Sequence, residues 1–244
     1  MLHGVFGSGD NWWSIARKLE DEFRIYLPDQ RNHGKSFHSQ EFCYDLLVAD
    51  LADWMHHQDL SRIHLVGHSM GGKAAMAFAV RYPEKLRTLT VVDIAPKAYR
   101  MDHHAGMLQA MKDLDLAAFA TRSALDAALK PSIPDEATRL FVLKNVERGP
   151  QGEFRWRIAL NPLADSLSAV GESLPAHAPV VIPTLLVRGA KSQYVTDEDW
   201  VSFKSSFTHS TLETLAGAGH WVHADQPEAL TLVLRNFLNS HREA

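Results

Sequence analysis

Residues 62–86 read RIHLVGHSMGGKAAMAFAVRYPEKL. The apolar run at 63–66 predicts a short buried strand. Gly67-His68-Ser69-Met70-Gly71 follows, and an alanine-rich stretch then predicts a helix to Tyr82, stopped by Pro83. Strand, tight turn and helix in that order form the setting of a nucleophile elbow. So sharp a turn forces its central residue into a strained backbone conformation. Side chains at the flanking positions would collide with strand and helix, so Gly67 and Gly71 are required there. The Ser69 oxygen then projects from the end of the sheet, at a helix N-terminus that favours developing negative charge. A bare G-x-S-x-G arises by chance in about one chain of this size in ten. The elements on either side of it carry the reading.

The 244 residues, 45% hydrophobic and 22% charged, suit one large domain or two small ones. A net charge of −4 without a basic run argues against nucleic acid as a partner. The single cysteine excludes an internal disulfide framework and fits a reducing compartment. No apolar run approaches the roughly 20 residues of a membrane span. A cytoplasmic location and a small-molecule partner are therefore expected; oligomeric state is left open.

Around the elbow the pattern alternates. Residues 4–9 form a glycine-rich loop whose N–H groups can face a ligand, with His3 and Gly4 at its start. A helix is expected over 11–20 and a strand over 23–27. The polar loop 28–36 should be tied together by Asp29 and Arg31. Residues 44–57 read as an amphipathic helix, and 86–94 as a strand ending in Asp93. Residues 95–181 lack strong strands and carry three helical stretches, near 102–129, 135–147 and 163–173. They read as a cap inserted over the site. This divides the chain into a core, 1–95 and 183–244, and a helical cap, 96–182. Strands at 184–188 and 211–215, with helices at 197–207 and 227–238, complete the alternation. The fold class is α/β, with a mostly parallel sheet flanked by helices. Ligands in such folds bind beyond the carboxyl ends of the strands.

Ser69, Asp93 and His220 each follow a predicted strand, in the order expected of an α/β-hydrolase triad. A serine hydroxyl needs a base, and the base needs a carboxylate to hold its tautomer. His220, on a glycine-rich turn, is the base, with His223 as the alternative. For the acid, Asp93 is preferred over Asp197 and Asp199; Ser192 stands where an aspartate often lies in this fold. Oxyanion donors are expected from Met70 and from Val5, with Phe6 next in line. His3, Gly4, His68 and Trp221 are expected to line the substrate site. Met101, Met107, Met111 and Phe119 form either an apolar acyl pocket or mere packing within the cap.

The segments His3–Ser8, Asp29–Gly34, Val66–Lys73, Val92–Pro96 and Gly217–Ala224 together resemble the α/β-hydrolase esterases of the YbfF type, an abhydrolase group. The resemblance spans nearly the whole chain. It implies hydrolysis of carboxylic esters, with acyl-CoA thioesters as further substrates, Asp93 as the acid, and no metal or organic cofactor. Family members carry two further strands and most of a third ahead of the segment matching His3. The chain is therefore expected to be a truncated reading of a longer protein, its first strands missing. Two other readings stand beside the esterase: a cofactor-free haloperoxidase or perhydrolase, which shares the serine triad, and an inactive truncated member of the fold.

Overall fold

The computed structural model describes residues 1–242. Four parallel strands, β1 (Ile63–His68), β2 (Leu86–Val92), β5 (Thr184–Gly189) and β6 (Ser210–Leu215), lie side by side in that order. A short antiparallel pair, β3 (Val146–Arg148) and β4 (Phe154–Trp156), stands apart from them. Helices α1 (Trp13–Leu19), α2 (Tyr44–His57), α3 (Met70–Arg81), α9 (Asp197–Ser206), α10 (Val222–Asp225) and α11 (Pro227–Asn239) belong to the sequence on either side of the insertion. Within the insertion run α4 (Asp102–Asp113), α5 (Arg122–Leu129), α6 (Glu136–Leu143), α7 (Leu160–Asp165) and α8 (Leu167–Gly171).

Alternation along the strands sends side chains to two cores. Val66, Val92, Leu185 and Val187 meet Trp12 and Ile15 near α1 and Leu230 and Leu234 of α11. Leu65, Leu89, Val91 and Leu186 face the other way, onto Met55 of α2, Ala75 and Phe78 of α3, and a larger cluster that includes the insertion. Both faces of the sheet are thus covered, as a parallel sheet requires.

Three expectations need correction. Residues 23–27 are not a strand. A strand exists through its ladder, and this stretch has none; the Met1 amine reaches the carbonyl of Tyr26 at 2.8 Å. Between it and β1 lies a cavity of about 220 Å³ walled by Ile25, Tyr26, Ile63 and Leu65. The long helix expected over 102–129 is broken, because Leu114 is extended, Asp115 accepts from the N–H of Ala117, and Thr121 caps α5 at the N–H of Ala124. The β3–β4 pair was not expected, and the helix expected over 135–147 stops at Leu143.

The register delivers the site. Gly67 and His68 lie beside Val91 and Val92, and Val92 beside Val187. The residues that follow these strands therefore emerge together at the carboxyl end of the sheet. Leu2 pairs alongside β1, opposite Gly67: its N–H donates to Val66 O at 2.7 Å, and its carbonyl accepts from His68 N–H at 3.1 Å. Among the described residues, no helix is long and apolar enough to cross a membrane.

Candidate active site

Ser69 occupies the turn between β1 and α3 with φ 53° and ψ −119°. A non-glycine residue held there stores about 1–3 kcal/mol of strain. The glycines around it are needed because backbone stands where side chains would go. A Cβ on Gly67 would lie 2.2 Å from Gly71 O, and one on Gly71 would lie 2.5 Å from His3 O. The strand and helix close around the turn, and the serine is pushed out at its apex.

His220 follows β6 on the glycine-rich turn. Its Nε2 lies 3.1 Å from Ser69 Oγ, and its Nδ1 lies 2.8 Å from Asp93 Oδ2. Three neighbours fix the ring. Asp225 Oδ2 accepts the N–H of Gly219 at 2.7 Å, His68 Nε2–H donates to His220 O at 2.8 Å, and Tyr194 stacks on the imidazole face. With Nδ1–H given to the carboxylate, Nε2 presents its lone pair to the hydroxyl, as a general base must.

Asp93 is fully buried at a φ of 51°. Oδ1 accepts the N–H of Gly189 at 3.0 Å, and Oδ2 also accepts the hydroxyl of Ser192. Ser192, standing where an aspartate often lies in this fold, thus bonds the carboxylate of Asp93 and supplies none of its own. Asp197 and Asp199 do not reach the imidazole: Asp197 pairs with Arg188 at 2.7 Å, and Asp199 caps α9 and holds Lys97 at 2.6 Å.

Residues 3–7, where an oxyanion donor is expected, form a turn beside Ser69. The N–H of Gly7 closes a turn on Gly4 O at 3.0 Å, and His3 Nδ1–H also bonds Gly4 O at 2.8 Å. Because the peptide is planar and trans, holding Gly4 O fixes the opposite direction for the Val5 N–H. Met70, first residue of α3, offers its N–H at the helix N-terminus. Phe6 must be withdrawn as a donor: its N–H is given to His33 Nε2 at 3.2 Å. His3 is buried, with Nδ1 on Gly4 O and Nε2 accepting the N–H of Gln30 at 3.0 Å, so no ring nitrogen is left to bond a substrate. Burial lowers the pKa of His3 and takes that of His33 down to about 3, which keeps both rings neutral and able to accept.

The expected tie between Asp29 and Arg31 is absent. Asp29 accepts the N–H groups of Gly9 and Lys35, each at 2.7 Å, while Arg31 forms a two-pronged pair with Asp50 of α2 at 2.5 and 2.7 Å. His223 does not touch Ser69. It packs between Trp12 and His68, and burial together with the neighbouring His220 brings it down to about 4.

A cavity of about 360 Å³ opens above Ser69. His3, Gly4, His68 and Trp221, the four residues named for this place, line it together with Val5, although the Nε2–H of His68 is spent on His220 O. Met107 of α4 lines it too, whereas Met111 is buried in the core and Met101 and Phe119 pack against that core. Sequence reasoning missed His104, Phe141 and Tyr194, which also face the cavity. Nothing in the local pattern marks them, since α4, α6 and the loop between β5 and α9 reach the site only through tertiary packing.

A family described as "alpha/beta hydrolase fold" matches residues 1–227. Esterase YbfF of Escherichia coli is 32% identical over 241 residues, covering 98% of this chain and 92% of that protein. The sn-1-specific diacylglycerol lipase ABHD11 of Mus musculus is 34% identical over 245 residues, covering 97% and 79%. A solved structure titled "Marine microorganism esterase" superposes with a TM-score of 0.94 at 38% identity, covering 97% of this chain and 93% of that one.

Proposed function

We propose, from the premise that this chain belongs to the alpha/beta hydrolase fold family and is of its esterase/lipase type, that it cleaves carboxylic esters with Ser69 as nucleophile, His220 as base and Asp93 as the acid that orients the base. The observation that carries this reading is the line Ser69 Oγ, His220 Nε2, His220 Nδ1, Asp93 Oδ2, with contacts of 3.1 and 2.8 Å. Ser69 attacks the acyl carbon as His220 takes its proton. The tetrahedral oxyanion is held by the N–H groups of Met70 and Val5. The imidazolium then gives its proton to the departing alcohol, leaving an acyl-enzyme that water hydrolyses by the same steps.

The insertion acts as a cap whose α4 and α6 supply Met107 and Phe141 to an apolar acyl site. A volume of about 360 Å³ fits a small or medium acyl group. Acyl thioesters follow the same path, because the attack is on the acyl carbon and a thiolate leaves readily.

The test is hydrolysis of chromogenic acetate, butyrate and octanoate esters, and of the matching acyl thioesters, by wild type and Ser69→Ala. Activity should fall by at least about 10³-fold in the variant. A variant that keeps wild-type turnover would refute Ser69 as nucleophile.

A further inference from the structure

The turn that carries the Val5 N–H is gripped from two sides. Phe6 is its third residue and has a φ of 61°, a conformation glycine adopts freely and phenylalanine does not. Its N–H goes to His33 Nε2 at 3.2 Å; its carbonyl accepts from Asn145 Nδ2 at 2.8 Å. His33 belongs to the core. Asn145 belongs to the insertion, 139 residues further along the chain, and is buried. Each is locked in turn. His33 Nδ1–H donates to Arg31 O at 2.9 Å, which fixes Nε2 as an acceptor. Asn145 Nδ2 also reaches Val142 O at 3.2 Å, and its backbone carbonyl takes the N–H of Arg157 at 2.7 Å.

We propose that Asn145 is a positioning residue for the oxyanion site. By holding Phe6 O opposite the His33 bond it keeps Phe6 at its strained φ, and so keeps the Val5 N–H aimed at the reacting oxygen. The hole is then complete only while the insertion is seated on the core. This rests on the serine-hydrolase reading above. Packing alone gives no reason for an amide here, since an apolar side chain would fill the space without the cost of burying a polar group. Without Asn145 the turn is free to relax toward a lower-strain conformation. A donor displaced in this way loses most in the transition state, because the negative oxygen exists only there.

The experiment compares wild type, Asn145→Leu and Asn145→Asp with an acetate ester. It reads kcat and KM, inhibition by an alkyl trifluoromethyl ketone that adds the serine and places an oxyanion in the hole, and binding of the corresponding long-chain alcohol. Asn145→Leu should lower kcat about tenfold to a hundredfold, less than deletion of a donor costs, with KM within about twofold. Affinity for the trifluoromethyl ketone should drop by the same factor and affinity for the alcohol should hold. Asn145→Asp sets a carboxylate against Phe6 O and should lose at least as much. A folded variant with wild-type kcat and wild-type ketone affinity would overturn the proposal, even with a lowered unfolding temperature. Should Asn145→Leu not fold, the near-isosteric Asn145→Asp takes its place: a matching loss of kcat and ketone affinity supports the proposal, and wild-type values overturn it. Ser69→Ala is run alongside. If it stays active, the hydrolase reading fails first; if it is dead while both Asn145 variants turn over normally, only the role of Asn145 fails.

Discussion

Tyr194 lies flat against His220, the ring centroids 3.6 Å apart and the planes 14° from parallel. The backbone N–H of Tyr194 donates to Ser192 Oγ at 3.2 Å, and Ser192 bonds Asp93. One short stretch thus bonds the Asp93 carboxylate from its edge and covers the His220 ring from its face. An aromatic contact of this kind contributes about 0.5–1.5 kcal/mol beyond burial, so its loss should cost a few-fold to about tenfold in kcat. Tyr194→Leu should show that loss and Tyr194→Phe should not. Steady-state kinetics on a butyrate ester distinguish them, and equal rates for all three proteins would show that the stack does not orient the base.

Asp93 is the only one of the three candidate acids within reach of the imidazole among the described contacts. Asp93→Asn preserves shape, but its amide favours the wrong tautomer of His220. A loss of about 10⁴ in kcat is expected, by analogy with serine-triad enzymes. Asp197→Asn removes a pair between an exposed carboxylate and Arg188 and should leave kcat within about twofold. Asp199→Asn weakens the α9 cap and should cost stability of about 1 kcal/mol, with little effect on turnover. Parallel measurement of kcat and thermal midpoint separates these outcomes.

Much of this site can be read directly from the sequence, for local reasons. The elbow is decided by contacts between Gly67, Gly71 and their immediate surroundings, and the order Ser69, Asp93, His220 follows from which strands they terminate. What stayed hidden depends on distant partners. Arg31 bonds Asp50 on the following helix rather than its neighbour Asp29. Phe6 looks like an oxyanion donor until His33 is seen to hold its N–H. The 23–27 stretch has the composition of a strand, but composition cannot supply the neighbouring backbone a ladder needs. His104, Phe141 and Asn145 come from the insertion, where helix breaks at Leu114 and Leu143 redirect the chain toward the site.

Buried neutral histidines give the fold a defined acid sensitivity. His33 and His223 have folded values of about 3 and about 4, against 6.5 ordinarily, chiefly because burial disfavours the charged ring. Above pH 6.5 both the folded and unfolded chains hold them neutral, and pH has no leverage through them. As pH falls below 6.5 the unfolded chain takes up protons that the folded chain refuses. Stability therefore drops with falling pH and levels off near the folded values, with a slope of up to about 1.4 kcal/mol per pH unit for each group. Urea midpoints between pH 4.5 and 6.5 should show the decline. His223→Phe should flatten it by about one proton's worth, and an unchanged slope would mean that His223 is not held neutral in the fold.

Lys73 joins the insertion to α3, the helix that follows Ser69. It is almost completely buried, and burial lowers its ammonium to about 8. The Nζ donates to Glu172 O at 2.5 Å and Gly171 O at 3.3 Å, the carbonyls at the end of α8, and sits 4.9 Å from the ring of Tyr99. The same stretch is tied to the first residues of the insertion by Tyr99 N–H to Gly171 O at 2.7 Å and Leu174 N–H to Pro96 O at 2.8 Å. Lys73→Met keeps the length of the side chain but removes the donor. Two effects then oppose each other: two carbonyls lose a charged partner, and the cost of burying a cation disappears. Global stability should therefore move by less than about 2 kcal/mol. The local effect has no such offset, because only the end of α8 loses its anchor. Hydrogen exchange should quicken by at least about tenfold at the amides of Glu172 and Leu174 while the amides of β2 keep their protection. If Glu172 and Leu174 exchange as slowly in Lys73→Met as in wild type, the remaining backbone bonds suffice and the lysine does not fasten the insertion.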